Sequence, residues 1–467
     1  MDISRRQFLK VIVVTAGTLE ACSSDVEPPT TVPPPEDNSR YFPQSVASGD
    51  PRPDSVVLWT RVDDDDAAAD RRLTLEVGLD PIFTVMIASK TNIPALAAHD
   101  HNVKVKVAGL NPSTVYYYRF TYEKAGTKLR SRVGRTKTAP AATEDRKVKF
   151  VVATCQDFTG RYYNTWQKLV LLGDPDVDFV IFLGDYVYET TGDPSFQTPG
   201  AMRTVVFREP EAAIALGTPA APYYAAQSLS NYRDLYRTFR GDKWLQQAHE
   251  LYPFVFVWDD HEYSDDCHGD VATYTSGLKD ETNLERRRNA ELVYFEYVPI
   301  DHPGITGDIV DFDSLPRYPD TRIYRDFTMG KHLRLAVADY RTYRPDHLIP
   351  EDAYPATVIM DEAALAAAGL SAAFSTDTFA YIDIDDPTYA QTKSLLGLAY
   401  KQLASTAGLP DSEIPARSAA VIKGPLSVAY VNAVLSALGA TLIDPVGKPR
   451  GLAWAHMGKR DLFNRQG

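Results

Sequence analysis

Cysteine is scarce: Cys22, Cys155 and Cys267 are the three in 467 residues. With Cys22 set aside in the N-terminal segment, one disulfide at most, between Cys155 and Cys267, is open to an exported chain. A basic excess is also missing, since 49 Lys and Arg face 62 Asp and Glu for a net charge of -13. Nucleic acid asks for a basic stripe, so binding to it is not expected. Long apolar runs are absent near the N-terminus, where Val11 to Leu19 falls far short of the roughly 20 residues that span a bilayer. No internal repeat is visible either. What the chain does have is length and a hydrophobic content of 44%, enough for more than one core and for two or three domains.

The opening residues, MDISRRQFLKVIVVTAGTLEAC, carry Ser4, Arg5, Arg6, Phe8, Leu9 and Lys10 in the twin-arginine export pattern, followed by a short apolar region. That route carries folded proteins, often with a cofactor already loaded, and the expectation is an exported protein that is periplasmic, membrane-anchored or secreted. Leu19, Glu20, Ala21 and Cys22 resemble a lipoprotein box in which Cys22 would be lipidated and would attach the chain to a membrane. Glu20 is unusual at its place in that box, so a free and an anchored form both stay open. Residues 23–40 are a Pro-rich linker, with DVEPPTTVPPPEDNS from Asp25 to Ser39 expected to be extended.

Two further regions follow. Residues 41–139 alternate polar and apolar in short runs, Ser55 to Arg61, Arg72 to Val77, Asn102 to Val107 and Val115 to Tyr122, separated by turn residues. The turn from Gly109 to Thr114 ahead of Val115 resembles the tyrosine corner of fibronectin type III sandwiches. From 145 to 467 the pattern becomes buried apolar runs between helical stretches, an α/β layout. Val148 to Ala153, Phe179 to Leu183, Phe254 to Trp258 and Leu333 to Ala338 are the predicted strands. Tyr162 to Leu172, Asn231 to Leu251 and Asn283 to Tyr297 are the predicted helices.

Each of those four strands ends in residues able to carry chemistry. Phe179 to Leu183 reads as a central strand, and ligands in open α/β sheets gather beyond the carboxyl ends of such strands. There Gly184 allows a sharp bend, Asp185 offers a carboxylate that bridges two cations, and Tyr188 offers a phenol. A phenol, with an ordinary pKa of about 10, ligates as phenolate only to a strong Lewis acid, and ferric iron is the natural candidate. Cys155 follows the first strand, as a metal ligand or as half of a disulfide to Cys267. After the third strand comes WDDHEYSDD, from Trp258 to Asp266, where so many carboxylates around His261 would repel one another unless cations neutralise them. A solvated acidic loop is the alternative there. Asp339, Arg341 and Arg344 follow the fourth strand, and the two arginines are suited to clamping phosphate. Together the four ends describe a two-metal site of the kind that activates water for attack on phosphorus.

GDYVYE and WDDHE, with the opening FPQSVASGDPRPDSVVLWTRV, resemble the PhoD-type alkaline phosphatases and, more distantly, other calcineurin-like metallophosphoesterases. The resemblance implies an α/β fold, a metallophosphoesterase-type mixed sheet sandwich, preceded by a small all-β fibronectin type III-like domain. It also implies hydrolysis of phosphate mono- or diesters. By the same resemblance Cys155, Asp185 and Tyr188 would hold Fe3+, Asp185 would bridge to a second divalent ion, usually Ca2+, and Asp260 would ligate that ion. Asp265 is a further metal candidate, His261 would stabilise charge on the phosphoryl group or leaving oxygen, and Arg341 or Arg344 would orient the substrate ester. Relatives continue to a second sheet with a Gly-Asp-x-His element, and none of the nine histidines here stands in that context. The expectation is therefore a C-terminally truncated chain. Its alternative function is that of a non-catalytic surface lipoprotein or an inactive fragment with an incomplete metal site.

Overall fold

The computed structural model describes residues 40–194, 196–198, 203–272, 281–302, 307–344, 357–360, 378–406, 410–412, 414–423, 425–443 and 453–456. The export signal, Cys22 and nearly all of the Pro-rich linker lie outside these residues.

A six-stranded sheet runs through the N-terminal part and the α/β part alike, in the order Asn102–Ala108, Ser55–Arg61, Val46–Gly49, Phe254–Phe256, Phe179–Phe182, Phe150–Ala153. The first three strands pair antiparallel and the last three parallel. Between the two groups Gly49 pairs with Phe254, and the Asp50 amide donates to the Phe254 carbonyl at 2.9 Å. Ser55–Arg61 is buried along its whole length because it is a wall between two cores. Its alternate side chains divide: Val56 and Leu58 join the core that holds Leu73, Val103 and Phe120, while Trp59 joins the one that holds Phe182 and Tyr236 and lies against Tyr297.

The second N-terminal sheet holds Met86–Ala95, Arg71–Gly78 and Val115–Lys124, with Thr127–Arg130 and Gly134–Lys137 both pairing the last of these. The expected corner is present, since the Asn111 amide donates to the buried Tyr116 hydroxyl at 2.8 Å.

In the α/β part, the predicted helix from Asn231 to Leu251 is two helices, Leu229–Phe239 and Lys243–Leu251. Ser228 and Asn231 form a capping box on the first, and Asp242 caps the second by accepting from the Trp244 and Leu245 amides, which forces the break. Two predicted strands differ from expectation. Phe150–Ala153 is an edge strand, with Phe150 39% and Val152 55% exposed instead of buried on both faces. Leu333–Val337 lies outside the large sheet, in a hairpin with Arg325–Met329, and its Arg334 is the polar member of a half-exposed alternation. A separate small core gathers Ile382, Ile384, Tyr389, Leu396, Ile422, Val431 and Leu435. Among the described residues no helix is long and apolar enough to cross a membrane.

Candidate metal centre

The site is built where two parallel strands end side by side. After Phe179–Phe182 the chain turns through Gly184 (φ 100°) and Asp185 (φ 56°), and after Phe150–Ala153 it turns through Cys155 (φ 55°). The Cys155 amide donates to the Gly184 carbonyl (3.1 Å) and the Gln156 amide to the Asp185 carbonyl (3.0 Å), so one turn is locked on the other. A Cβ on residue 184 would fall 2.3 Å from the Asp259 amide nitrogen, and only glycine lets the acidic loop come this close. Non-glycine residues with positive φ store strain, and here the two strained residues are the ones that meet: the Cys155 thiol donates to Asp185 Oδ2 at 3.1 Å. Both cysteines are free, Cys155 exposed and Cys267 buried, which removes the disulfide alternative.

Asp185 also lies beside the acidic loop. Ligand atoms of Asp185, Asp260 and His261 all lie within 4.8 Å of one another, and Asp185 Oδ1 is buried with no hydrogen-bond partner. Burial, with Asp260 and Asp259 nearby, pushes the Asp185 carboxyl up to about 6 against the pull of His261. Cys155 is pushed up to about 11, chiefly by burial and with a contribution from Asp185. The Tyr188 phenol is raised by burial, by Asp185 and by Cys155. In the protein alone, the thiol, the phenol and the carboxyl are thus all biased towards keeping their protons. A multivalent cation reverses that bias, and an orphaned carboxylate oxygen beside a thiol and a phenol is a donor set that fits one.

His261 is held from behind. Its Nδ1 lies 2.7 Å from Glu189 Oε2, and its ring lies on Tyr188 with centroids 4.2 Å apart. Burial works to discharge the imidazole, but Glu189, Asp260 and Asp185 outweigh it and carry His261 up to about 10.

Comparison with known proteins decides the family. The PhoD-like phosphatase family matches residues 150–397, more than half of the chain. The chain belongs to the PhoD-like phosphatases. The N-terminal domain of the same family matches residues 28–140. Alkaline phosphatase D of Bacillus subtilis (strain 168) is 33% identical over 323 residues, covering 67% of this chain and 48% of the relative. A solved structure of PhoD superposes with a TM-score of 0.55 at 31% identity, over 68% of this chain and 55% of that one. The chain therefore spans about half the length of these relatives.

Around this PhoD-like centre the remaining predicted residues divide. Asp265 donates its amide to Glu189 Oε1 (2.7 Å), and its carboxylate stands 3.6 Å from His261 Nε2, beside the imidazole and outside the Asp185–Asp260–His261 group. Arg341 and Arg344 are near but committed. Arg341 bonds Asp259, Asp260 (3.2 Å) and Asp266 (3.0 Å), and Arg344 Nη2 reaches both the carboxylate and the carbonyl of Asp266 at 3.0 Å. Both guanidiniums thus sit against the acidic loop and offset part of its charge from inside the chain.

Three acidic residues that carry the geometry had no role assigned from the sequence. Glu262 is buried and accepts from the amides of Asp185 (3.1 Å), Tyr186 (2.8 Å) and Asp259 (2.9 Å), which ties the Asp185 turn to the acidic loop. Burial, together with Asp185, pushes its carboxyl up to about 8. Glu189 orients His261, and half-buried Asp157 lines the same cavity as Cys155 and Tyr188. Glu189 and Glu262 lie within GDYVYE and WDDHE, but spacing does not say which carboxylate of an acidic run turns inward.

Proposed function

We propose that the chain is an exported, metal-dependent phosphoesterase acting on phosphate mono- or diesters. The observation that carries this reading is Asp185, which accepts from Cys155 on one oxygen, has the other buried without a hydrogen bond among the described residues, and offers a ligand atom within 4.8 Å of those of Asp260 and His261. Cys155, Asp185 and Tyr188 would hold Fe3+, and Asp185 with Asp260 a second divalent ion such as Ca2+, with Asp265 at its rim. When bound, the ions supply Lewis acidity, which makes water more acidic and draws charge from phosphoryl oxygens. His261, kept protonated by Glu189, offers a positive N–H at Nε2 to the phosphoryl group or the departing alkoxide oxygen. Glu262 holds the Asp185 turn against the acidic loop, which would let Asp185 serve both ions.

Export through the twin-arginine machinery and attachment through Cys22 belong to the same reading, supported by the N-terminal pattern. Iron and calcium content measured together with aryl-phosphate hydrolysis tests the centre. Iron-bearing protein whose activity is lost in Cys155→Ala and Asp185→Asn is the expected result. Iron-free, inactive protein would leave a surface lipoprotein in its place.

A further inference from the structure

We infer that Arg161 is the residue that binds the phosphoryl oxygens of the substrate, an assignment that rests on the phosphoesterase reading. A cavity of about 500 Å³ opens on Cys155 and Tyr188, and Arg161 is the only Lys, Arg or His among the described residues that line it. A phosphate ester brings negative charge that a planar guanidinium meets with paired N–H donors. The other arginines close to the site are engaged: Arg341 and Arg344 in the acidic loop, and Arg203 on Asp242 with its guanidinium stacked 3.7 Å from the centre of the Phe158 ring.

Arg161 is differently placed. Its side chain is 60% exposed, and Nη2 donates to the Phe196 carbonyl at 2.9 Å, the one hydrogen bond of its five side-chain donors among the described residues. Its acidic neighbour Asp157 stands at 3.7 Å, an ion-pair distance that leaves the fork open. Asp157 is a positioning residue: Oδ1 accepts from the Thr159 amide (3.1 Å) and from Gln197 Nε2 (3.1 Å), while buried Oδ2 has no hydrogen bond and faces Arg161 electrostatically.

The turn that presents Arg161 is pinned. Gly160 has φ 70°, its amide donates to the Arg203 carbonyl at 3.0 Å, and a Cβ there would stand 2.4 Å from the Thr198 carbonyl oxygen. Tyr163, two residues on, donates its hydroxyl to the Gln156 carbonyl at 2.9 Å. The guanidinium therefore projects from a fixed base onto the cavity that Cys155 and Tyr188 border, and the volume leaves room for an organic leaving group beyond the phosphate.

The test uses the metal-loaded full chain, with inorganic phosphate as the calorimetric probe and p-nitrophenyl phosphate as substrate. Arg161→Gln is expected to weaken phosphate binding and raise KM by about 10- to 100-fold, with a smaller change in kcat and unchanged iron content. Arg161→Lys, which keeps the charge without the fork, is expected to recover part of the loss. Phosphate affinity within about twofold of wild type in Arg161→Gln, loss of iron in either variant, or no phosphate binding by the wild type overturns the assignment. A wild type that binds phosphate through Arg161 but hydrolyses no ester defeats the phosphoesterase reading and leaves this one standing.

Discussion

Asp100 and Asp185 are both buried aspartates held in left-handed backbone, with φ 51° and 56°, and they are partnered in opposite ways. Asp100 receives Arg61 on both oxygens, Arg237 and the Tyr297 hydroxyl. Burial works to raise its carboxyl, but the two guanidiniums prevail and hold it well below the usual carboxylate range. Asp185 has a thiol on one oxygen and nothing on the other, and its nearest charges include two further carboxylates. Asp100 fastens the N-terminal strands to the Leu229–Phe239 helix with groups the chain supplies itself. Asp185 has the His261 imidazole as the nearby positive charge that works against its acidic neighbours, and in the proposed centre a cation would complete it. The difference separates a buried acid that holds the fold from one that awaits a ligand, even where burial and backbone are alike.

Breaking Asp100 should cost most. Asp100→Ala leaves buried Arg61 with only the more exposed Asp63 as an acidic partner, and urea unfolding is expected to show a loss of about 3–5 kcal/mol with iron per folded molecule unchanged. Asp185→Asn should do the reverse. It is expected to remove iron and lower kcat by about 100- to 1,000-fold, while the metal-free variant unfolds at the same urea concentration as metal-free wild type or a higher one. Metal-free Asp185→Asn clearly less stable than wild type would mean that both aspartates are structural. Glu189→Gln sharpens the comparison from the side of His261: loss of its anionic support should lower activity or metal affinity by about 10- to 100-fold, read by kinetics and by chelator competition.

The smallest effect is the pH response of Asp100. Its folded pKa lies below the unfolded value of about 3.9, so its contribution is fully present above that value and is lost progressively as pH falls from there through the folded pKa. The urea midpoint of wild type should therefore drop more steeply in acid than that of Asp100→Ala. Parallel acid slopes for the two proteins would remove Asp100 from the account.

Much of this was legible in the sequence wherever a local signal coincided with the tertiary role. Ser55–Arg61 begins and ends where its pattern says, and the strand before Asp185 and the corner at Tyr116 were equally plain. Val46–Gly49 was silent, since four residues without alternation look like a loop until Phe254 is found beside them. Phe150–Ala153 looked like an interior strand because apolarity does not tell an edge from a centre. Within the site, residue types and positions pointed to Cys155, Asp185, Tyr188, Asp260 and His261, which the fold gathers. The partners were not legible: which acid Arg341 and Arg344 would meet depends on side-chain paths that spacing leaves open, and Arg161 sits in a stretch with no motif to mark it.

The junction of Gly49 with Phe254 sets an order on how this protein comes into being. A ribosome releases Val46–Gly49 long before Phe254–Phe256, and in that interval the earlier strand has a bare rim on which a wrong partner could settle. The turns that bring Cys155 and Asp185 together are also made before the neighbour that secures their sheet. Any quality control that passes only finished molecules has to wait for both ends of that span.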